Sequence, residues 1–188
     1  MVITLLRHGK PVIPSLNKIS ASEFGNWIQE YNASGLCPSS KPSMEAFSCA
    51  QECHAVVCSD LPRSIESAKA LKSGNIVLSS SIFNEAGLPF ANWSTLKLSP
   101  KIWAVTFRIL WLLGYSKNSE SFKESKVRAK EAIKKLIEIA NNSESVLFVG
   151  HGVYNRILAK ELRKSGWSSS NSTSSKYWSL GTYKLRET

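Results

Sequence analysis

Residues 145–152, SVLFVGHG, decide how the chain is read. After Ser145 the run is apolar and unbroken, which suits a strand covered on both faces rather than one alternating between core and water. It stops at Gly150-His151-Gly152, and a helical pattern, VYNRILAKELRK (153–164), follows at once. A second run of the same kind, VITLL (2–6), stops at Arg7-His8-Gly9. A third, in AVVCSD (55–60), leads into LPRSIESAKAL (61–71), where Pro62 suits a helix's first turn and Ile65, Ala68 and Leu71 are spaced to face a core. NIVLS (75–79) reads as a further strand, and IFNEAGLP (82–89) as the loop after it. Strands alternating with helices predict an α/β fold, a three-layer sandwich with a central, mostly parallel sheet and helices on both faces.

The remaining segments fill in around these strands. SASEFGNWIQEY (20–31) has Ser20 and Glu23 at capping-box spacing and apolar residues at helical intervals, and SMEAFSCAQE (43–52) reads as a short helix. A second capping box, Ser121 with Glu124, opens a long helix whose apolar face carries Ala129, Ala132, Ile133, Leu136, Ile137 and Ala140. The polar run SSSNSTSS (168–175) is read as a surface loop and YWSLGTYKL (177–185) as a final strand. No internal repeat is present. Residues 1–188 are taken as one domain with a Trp-rich variable segment at about 90–118.

Hydrophobic residues make up 43% and charged ones 20%, which excludes a disordered chain. The net charge of +10 points to an anionic partner. Cys37, Cys49, Cys53 and Cys58 form no C-x-x-C pair, and no charged leader precedes the first apolar run. A reducing, cytoplasmic setting with free thiols is expected.

In an open α/β sheet, ligands bind at the carboxyl ends of the parallel strands. Two of the three histidines, His8 and His151, fall at such ends; Arg63 lies in the first turn after a third, and Glu85 in the loop after a fourth. One imidazole can attack phosphorus, two arginines and the other imidazole can hold the oxygens, and a carboxylic acid can protonate a departing alcohol. Two guanidiniums and an imidazolium would already neutralise a phosphate, so neither metal nor cofactor is called for.

In that order, LLRHGKP, SDLPRSIESA, NEAGLP and VGHG resemble the four signatures of the histidine phosphatase superfamily, the phosphoglycerate-mutase-like proteins. The resemblance implies a phosphomonoester phosphatase working through a phosphohistidine on a small phosphorylated compound. By it His8 would be phosphorylated, Arg7, Arg63 and His151 would form the phosphate pocket, and Glu85 would be the proton donor. Two alternatives go with the family: a mutase-type phosphotransferase, and a catalytically idle member that binds a phosphorylated ligand or a protein. Many relatives follow R-H-G with an acidic residue and Thr or Ser, and place an Asn six residues beyond the histidine. Here Lys10, Pro11 and Pro14 stand there, with Asn17 or Ser15 as substitutes for the Asn. That departure bears on substrate choice more than on catalysis.

Several other features are read as structural. Cys49, Cys53 and His54 lack the further ligands of a metal site. The cations from Lys123 to Lys135 alternate with glutamates and suit a solvated face, so no nucleic-acid partner is expected. Within the Trp-rich segment, the apolar run is too short to cross a bilayer, and membrane contact is not expected, with association of the Trp-rich segment and the positive charge with a membrane surface as a third possibility. The run is read as a buried helix walling the core, or else as a lid that selects the leaving group.

Overall fold

The computed structural model describes residues 1–15, 17–71, 76–169, 171 and 174–185. In chain order its elements are β1 (Val2–Arg7), β2 (Ile19–Ser20), α1 (Ala21–Ala33), α2 (Met44–Glu52), β3 (Ala55–Cys58), α3 (Pro62–Ala70) and β4 (Ile76–Ser79). They continue with a 3₁₀ turn (Ser81–Phe83), β5 (Lys97–Leu98), α4 (Pro100–Leu112), α5 (Phe122–Ser143), β6 (Ser145–Gly150), α6 (Gly152–Lys164), β7 (Trp167–Ser169) and β8 (Leu180–Leu185). The chain forms two compact units, one of residues 1–11, 35–85 and 128–188, the other of 12–34 and 86–127.

The first unit is built on a six-stranded mixed sheet in the order β4-β3-β6-β1-β8-β7, giving an α/β fold flanked by helices. The four strands β1, β3, β4 and β6 run parallel, and β8 is antiparallel to both β1 and β7. Side chains alternate along each strand, so the two faces can be followed separately. On one face Leu6, Val56, Cys58, Leu147 and Val149 pack with Ala46 and Ala50 of α2 and Ala68 of α3. On the other Ile3, Leu5, Val57, Val146 and Phe148 are also fully buried, and Phe148 meets Phe83 at 5.1 Å between ring centroids. Burial on both sides is why these strands are uniformly apolar.

Register fixes where the strands end. Arg7 lies opposite Gly150, and Cys58 opposite Val149. The residues that follow β1, β3 and β6 therefore emerge side by side at one edge, at the carboxyl ends of neighbouring parallel strands.

The second unit is smaller. Its core joins Ala21 and Phe24 of α1 to Trp103 and Phe107 of α4, with Ala91 between them, and β2 pairs with β5. The capping box at α1 is present: Glu23 N–H donates to Ser20 Oγ at 3.3 Å, and Ser20 N–H donates to the Glu23 carboxylate at 2.7 Å. Ser121 and Glu124 make the same reciprocal pair at the start of α5.

Some expectations need correction. The polar run at 168–175 is not all loop, because Ser168 and Ser169 pair with Lys184 and Tyr183 as part of β7. Hydroxyl side chains suit an edge strand, and composition alone hides that. The last strand begins at Leu180 rather than Tyr177. Asn75, placed in the fourth strand, and Ser170, Ser172 and Thr173 lie outside the described residues. The apolar helix is not buried all round: α4 buries Trp103, Phe107 and Trp111 and exposes Ile102, Val105, Ile109, Leu112 and Leu113. No helix among the described residues is long and apolar enough to cross a membrane.

Candidate active site

All five residues singled out by sequence lie in the first unit. His8 follows β1, and its Nδ1 sits 2.6 Å from the carbonyl oxygen of Gly9. A ring nitrogen facing a carbonyl carries the proton, so Nε2 is left with its lone pair. The His8 and His151 rings meet edge to face, their centroids 5.0 Å apart. His8 is buried, and burial together with the positive charges of Arg63 and Arg7 brings its pKa down from 6.5 to about 3; the Gly9 carbonyl opposes that shift. His151 is fully buried and is held well below the usual imidazole range by burial, then by His8, Arg63, Arg7 and Arg128. Both imidazoles are thus neutral at physiological pH, as a nucleophile requires.

His151 is held from two sides. Its backbone N–H donates to Asn155 Oδ1 at 3.1 Å, and its Nε2 lies 2.6 Å from Ser59 Oγ. Leu61 N–H donates to Ser59 Oγ at 3.4 Å, so the hydroxyl that holds the ring is itself anchored. The other ring nitrogen, Nδ1, is buried with no hydrogen-bond partner among the described residues. Arg7 Nε is buried and without a partner in the same way. A buried, unpaired guanidinium N–H beside a buried, unpaired ring nitrogen suits a bound anion.

Arg7 is further placed by packing. Its guanidinium lies over the Tyr177 ring at 4.2 Å, and its Nη1 donates to the Ser175 carbonyl. A Cβ on Gly152 would come within 3.3 Å of Arg7 Nε, so the bare start of α6 is what lets the fork lie there. Arg63 is 1% exposed in the first turn of α3. Ser67, one helical turn on, accepts from Gly9 N–H at 2.9 Å and donates to the Arg63 carbonyl at 2.6 Å, which ties the first two motifs together.

Glu85 is held where α6 begins. Its carboxylate accepts from Tyr154 N–H at 2.8 Å and Val153 N–H at 3.3 Å, two of the donors a helix leaves unpaired in its first turn. It thereby caps the helix, for which His151 supplies no side-chain cap. The loop that carries it is pinned by Arg128, which donates to the carbonyls of Ile82 at 2.8 Å and Asn84 at 2.9 Å and stacks on Tyr154.

Sequence reading misses Ser59, Ser67, Asn155, Arg128 and Tyr177. Ser67 and Asn155 carried a signal, each standing four residues along a helix from a candidate, where side chains share a face. Arg128 and Tyr177 arrive through tertiary packing and had none. Gly9 is a glycine because of packing. Its φ is not among the positive ones; a Cβ there would meet the Trp178 ring at 2.3 Å and Leu36 Cδ1 at 2.6 Å, so packing demands the glycine. Lys10 is fixed through its backbone, its N–H donating to Ser40 Oγ and its carbonyl accepting from Cys37 N–H, both at 2.8 Å. Ser15 and Asn17 belong to the second unit.

The outlying groups hold their structural reading: His54 Nδ1 is paired with Ser145 Oγ at 3.0 Å, and all four cysteines are free thiols.

Two buried neutral imidazoles, two guanidiniums and a carboxyl at adjoining strand ends belong to phosphoryl-transfer chemistry. The chain is a member of the histidine phosphatase superfamily (branch 1), whose family model matches residues 43–186. Its fold is similar to that of an open reading frame product of Mycobacterium tuberculosis, with a TM-score of 0.61 and 18% identity over 96% of this chain and 89% of the other. A mycobacterial glucosyl-3-phosphoglycerate phosphatase gives a TM-score of 0.58 at 17% identity over 87% of this chain and 79% of that one. YhfR of Bacillus stearothermophilus gives 0.56 at 20% identity, over 87% and 80%. At such identities the likeness is one of fold. No curated protein matches the sequence.

Proposed function

We propose that the protein is a phosphomonoester phosphatase that works through a phosphohistidine on a small phosphorylated compound. The observation that carries this reading is the His8 ring: Nδ1 is committed to the Gly9 carbonyl, and burial keeps the imidazole unprotonated, which leaves Nε2 as a nucleophile. In the first step Nε2 attacks phosphorus, the ester P–O bond breaks, and Glu85 gives its proton to the departing alcohol oxygen. In the second, water attacks the phosphohistidine with Glu85 taking its proton; the P–N bond breaks and phosphate leaves. Arg7, Arg63 and His151 hold the phosphoryl oxygens, and the charge of the two guanidiniums takes the place a metal ion would fill. The mycobacterial phosphatase of similar fold has been solved in complex with inorganic phosphate.

Turnover of an aryl phosphate in the presence of excess chelator tests the reading. Phosphate release that survives chelation and drops at least about a hundredfold in Glu85→Gln is the expected result on an alkyl phosphate, whose poor leaving group needs the proton most. Activity abolished by the chelator, or unchanged in Glu85→Gln on both substrates, contradicts it. Transfer of the phosphoryl group to a second sugar phosphate in place of water would point to the mutase reading.

A further inference from the structure

Helix α4 has a second apolar face that the core does not use. Trp103, Phe107 and Trp111 recur at intervals of four and are buried. On the opposite side of the helix Ile102, Val105, Ile109, Leu112 and Leu113 are 51%, 61%, 53%, 55% and 79% exposed. Spacings of three, four, three and one residue put these five on one arc, with no polar side chain among them. Single exposed apolar residues are ordinary, whereas a stripe covering one helix face marks a contact surface.

Charge says what kind of surface. Between Glu85 and Glu120 the chain has no carboxylate, but it has Lys97, Lys101, Arg108 and Lys117. Arg108 is occupied, donating to the carbonyls of Gly87 at 2.8 Å and Ala86 at 3.0 Å and lying over the Trp111 ring. The three lysines are exposed; Lys97 faces Glu23 of α1, and Lys101 and Lys117 carry the uncompensated charge beside the stripe. A second copy of the chain would set one cationic rim against another, on molecules that each carry a net +10. An anionic lipid surface matches both the apolar stripe and the rim.

We propose that the exposed face of α4 seats on anionic membrane surfaces, the helix lying in the interface with its aliphatic stripe at the acyl boundary and the lysines among the phosphates. Thirteen residues are too few to span a bilayer, but lying flat sets no such length. The sequence leaves association with a membrane surface as a lesser possibility, and the exposed stripe of α4 is what brings it forward.

Co-sedimentation of the full chain with phosphatidylcholine–phosphatidylserine vesicles, against phosphatidylcholine vesicles, is the test. Association at least about tenfold stronger with the anionic vesicles is expected, weakening as salt is raised. The double variant Val105→Asp with Ile109→Asp should lose about tenfold or more of it, with its circular dichroism unchanged because both positions face solvent. Should that variant fold poorly, Lys101→Glu with Lys117→Glu keeps the stripe and should weaken binding to anionic vesicles only. The proposal is overturned by no association, by equal binding to both vesicle types, or by variants that bind as the parent does. A concentration-dependent dimer that ignores vesicles and is dissolved by the double variant would also overturn it, making the face an interface between copies.

Discussion

At the scale of single residues, the site works through what holds its two imidazoles. The Gly9 carbonyl sets the tautomer of His8, and Ser59 anchors the His151 ring through Nε2. Ser59→Ala should therefore leave that nitrogen unpaired and loosen the ring's position. Turnover is expected to fall about tenfold, the worth of roughly one well-placed hydrogen bond, with KM changed less than kcat. Ser59→Thr, which restores a hydroxyl, should recover most of the loss, and kinetics on an aryl phosphate decide between the two. Tyr177 acts on Arg7 instead: its ring lies under the guanidinium and 5.8 Å from the His8 ring. Tyr177→Ala should raise KM several-fold while Tyr177→Phe keeps it, because the stacking face and not the hydroxyl makes the contact. Equal effects of the two changes would contradict that role.

The elements explain why the site forms where it does, and how much of it could be read in advance. Uniformly apolar runs such as VITLL and SVLFV exposed the central parallel strands, because a strand covered on both faces has no reason to alternate. Arg7, His8 and His151 were legible as interruptions at the ends of those runs. The Ser168–Ser169 strand was not, since serine in an edge strand looks like serine in a loop, and pairing with β8 is a long-range event. Nor was Glu85 legible as the cap of α6, because a capping residue is ordinarily sought next to its helix and this one comes from far along the chain. The need for Gly9 was not legible either: the ring of Trp178, brought in from the far end of the chain, fills the space a side chain would need. Gly9→Ala is expected to cost about 1–3 kcal/mol from overpacking, seen as a lower urea midpoint with unchanged slope. A midpoint equal to that of the parent would show that Trp178 and Leu36 yield freely.

For the whole molecule, burying two neutral imidazoles among arginines ties stability to pH. His8 protonates near 6.5 when unfolded and near about 3 when folded. Within that window the unfolded chain binds more protons, so stability rises with pH and is lost as pH falls from about 6.5 towards about 3. His151 shifts in the same direction and adds to the effect. Urea midpoints taken from pH 7 downwards should fall more steeply for the parent than for His8→Asn, which has one fewer group to protonate on unfolding. Saturating inorganic phosphate should lessen the slope by favouring the protonated rings, and parallel curves for parent and variant would contradict the account. The same charges fit the proposed chemistry, since a phosphate dianion complements Arg7 and Arg63, with the unpaired His151 Nδ1 beside them.

The central claim is that His8 Nε2 bonds to phosphorus. Rapid quenching of the enzyme with a labelled aryl phosphate, followed by peptide mapping under alkaline conditions that preserve phosphohistidine, tests it most directly. The account predicts label on the peptide containing His8, stable to base and lost in acid, accumulating further in Glu85→Gln and absent in His8→Ala together with turnover. Near-normal turnover in His8→Ala, or label on any other residue, would contradict it.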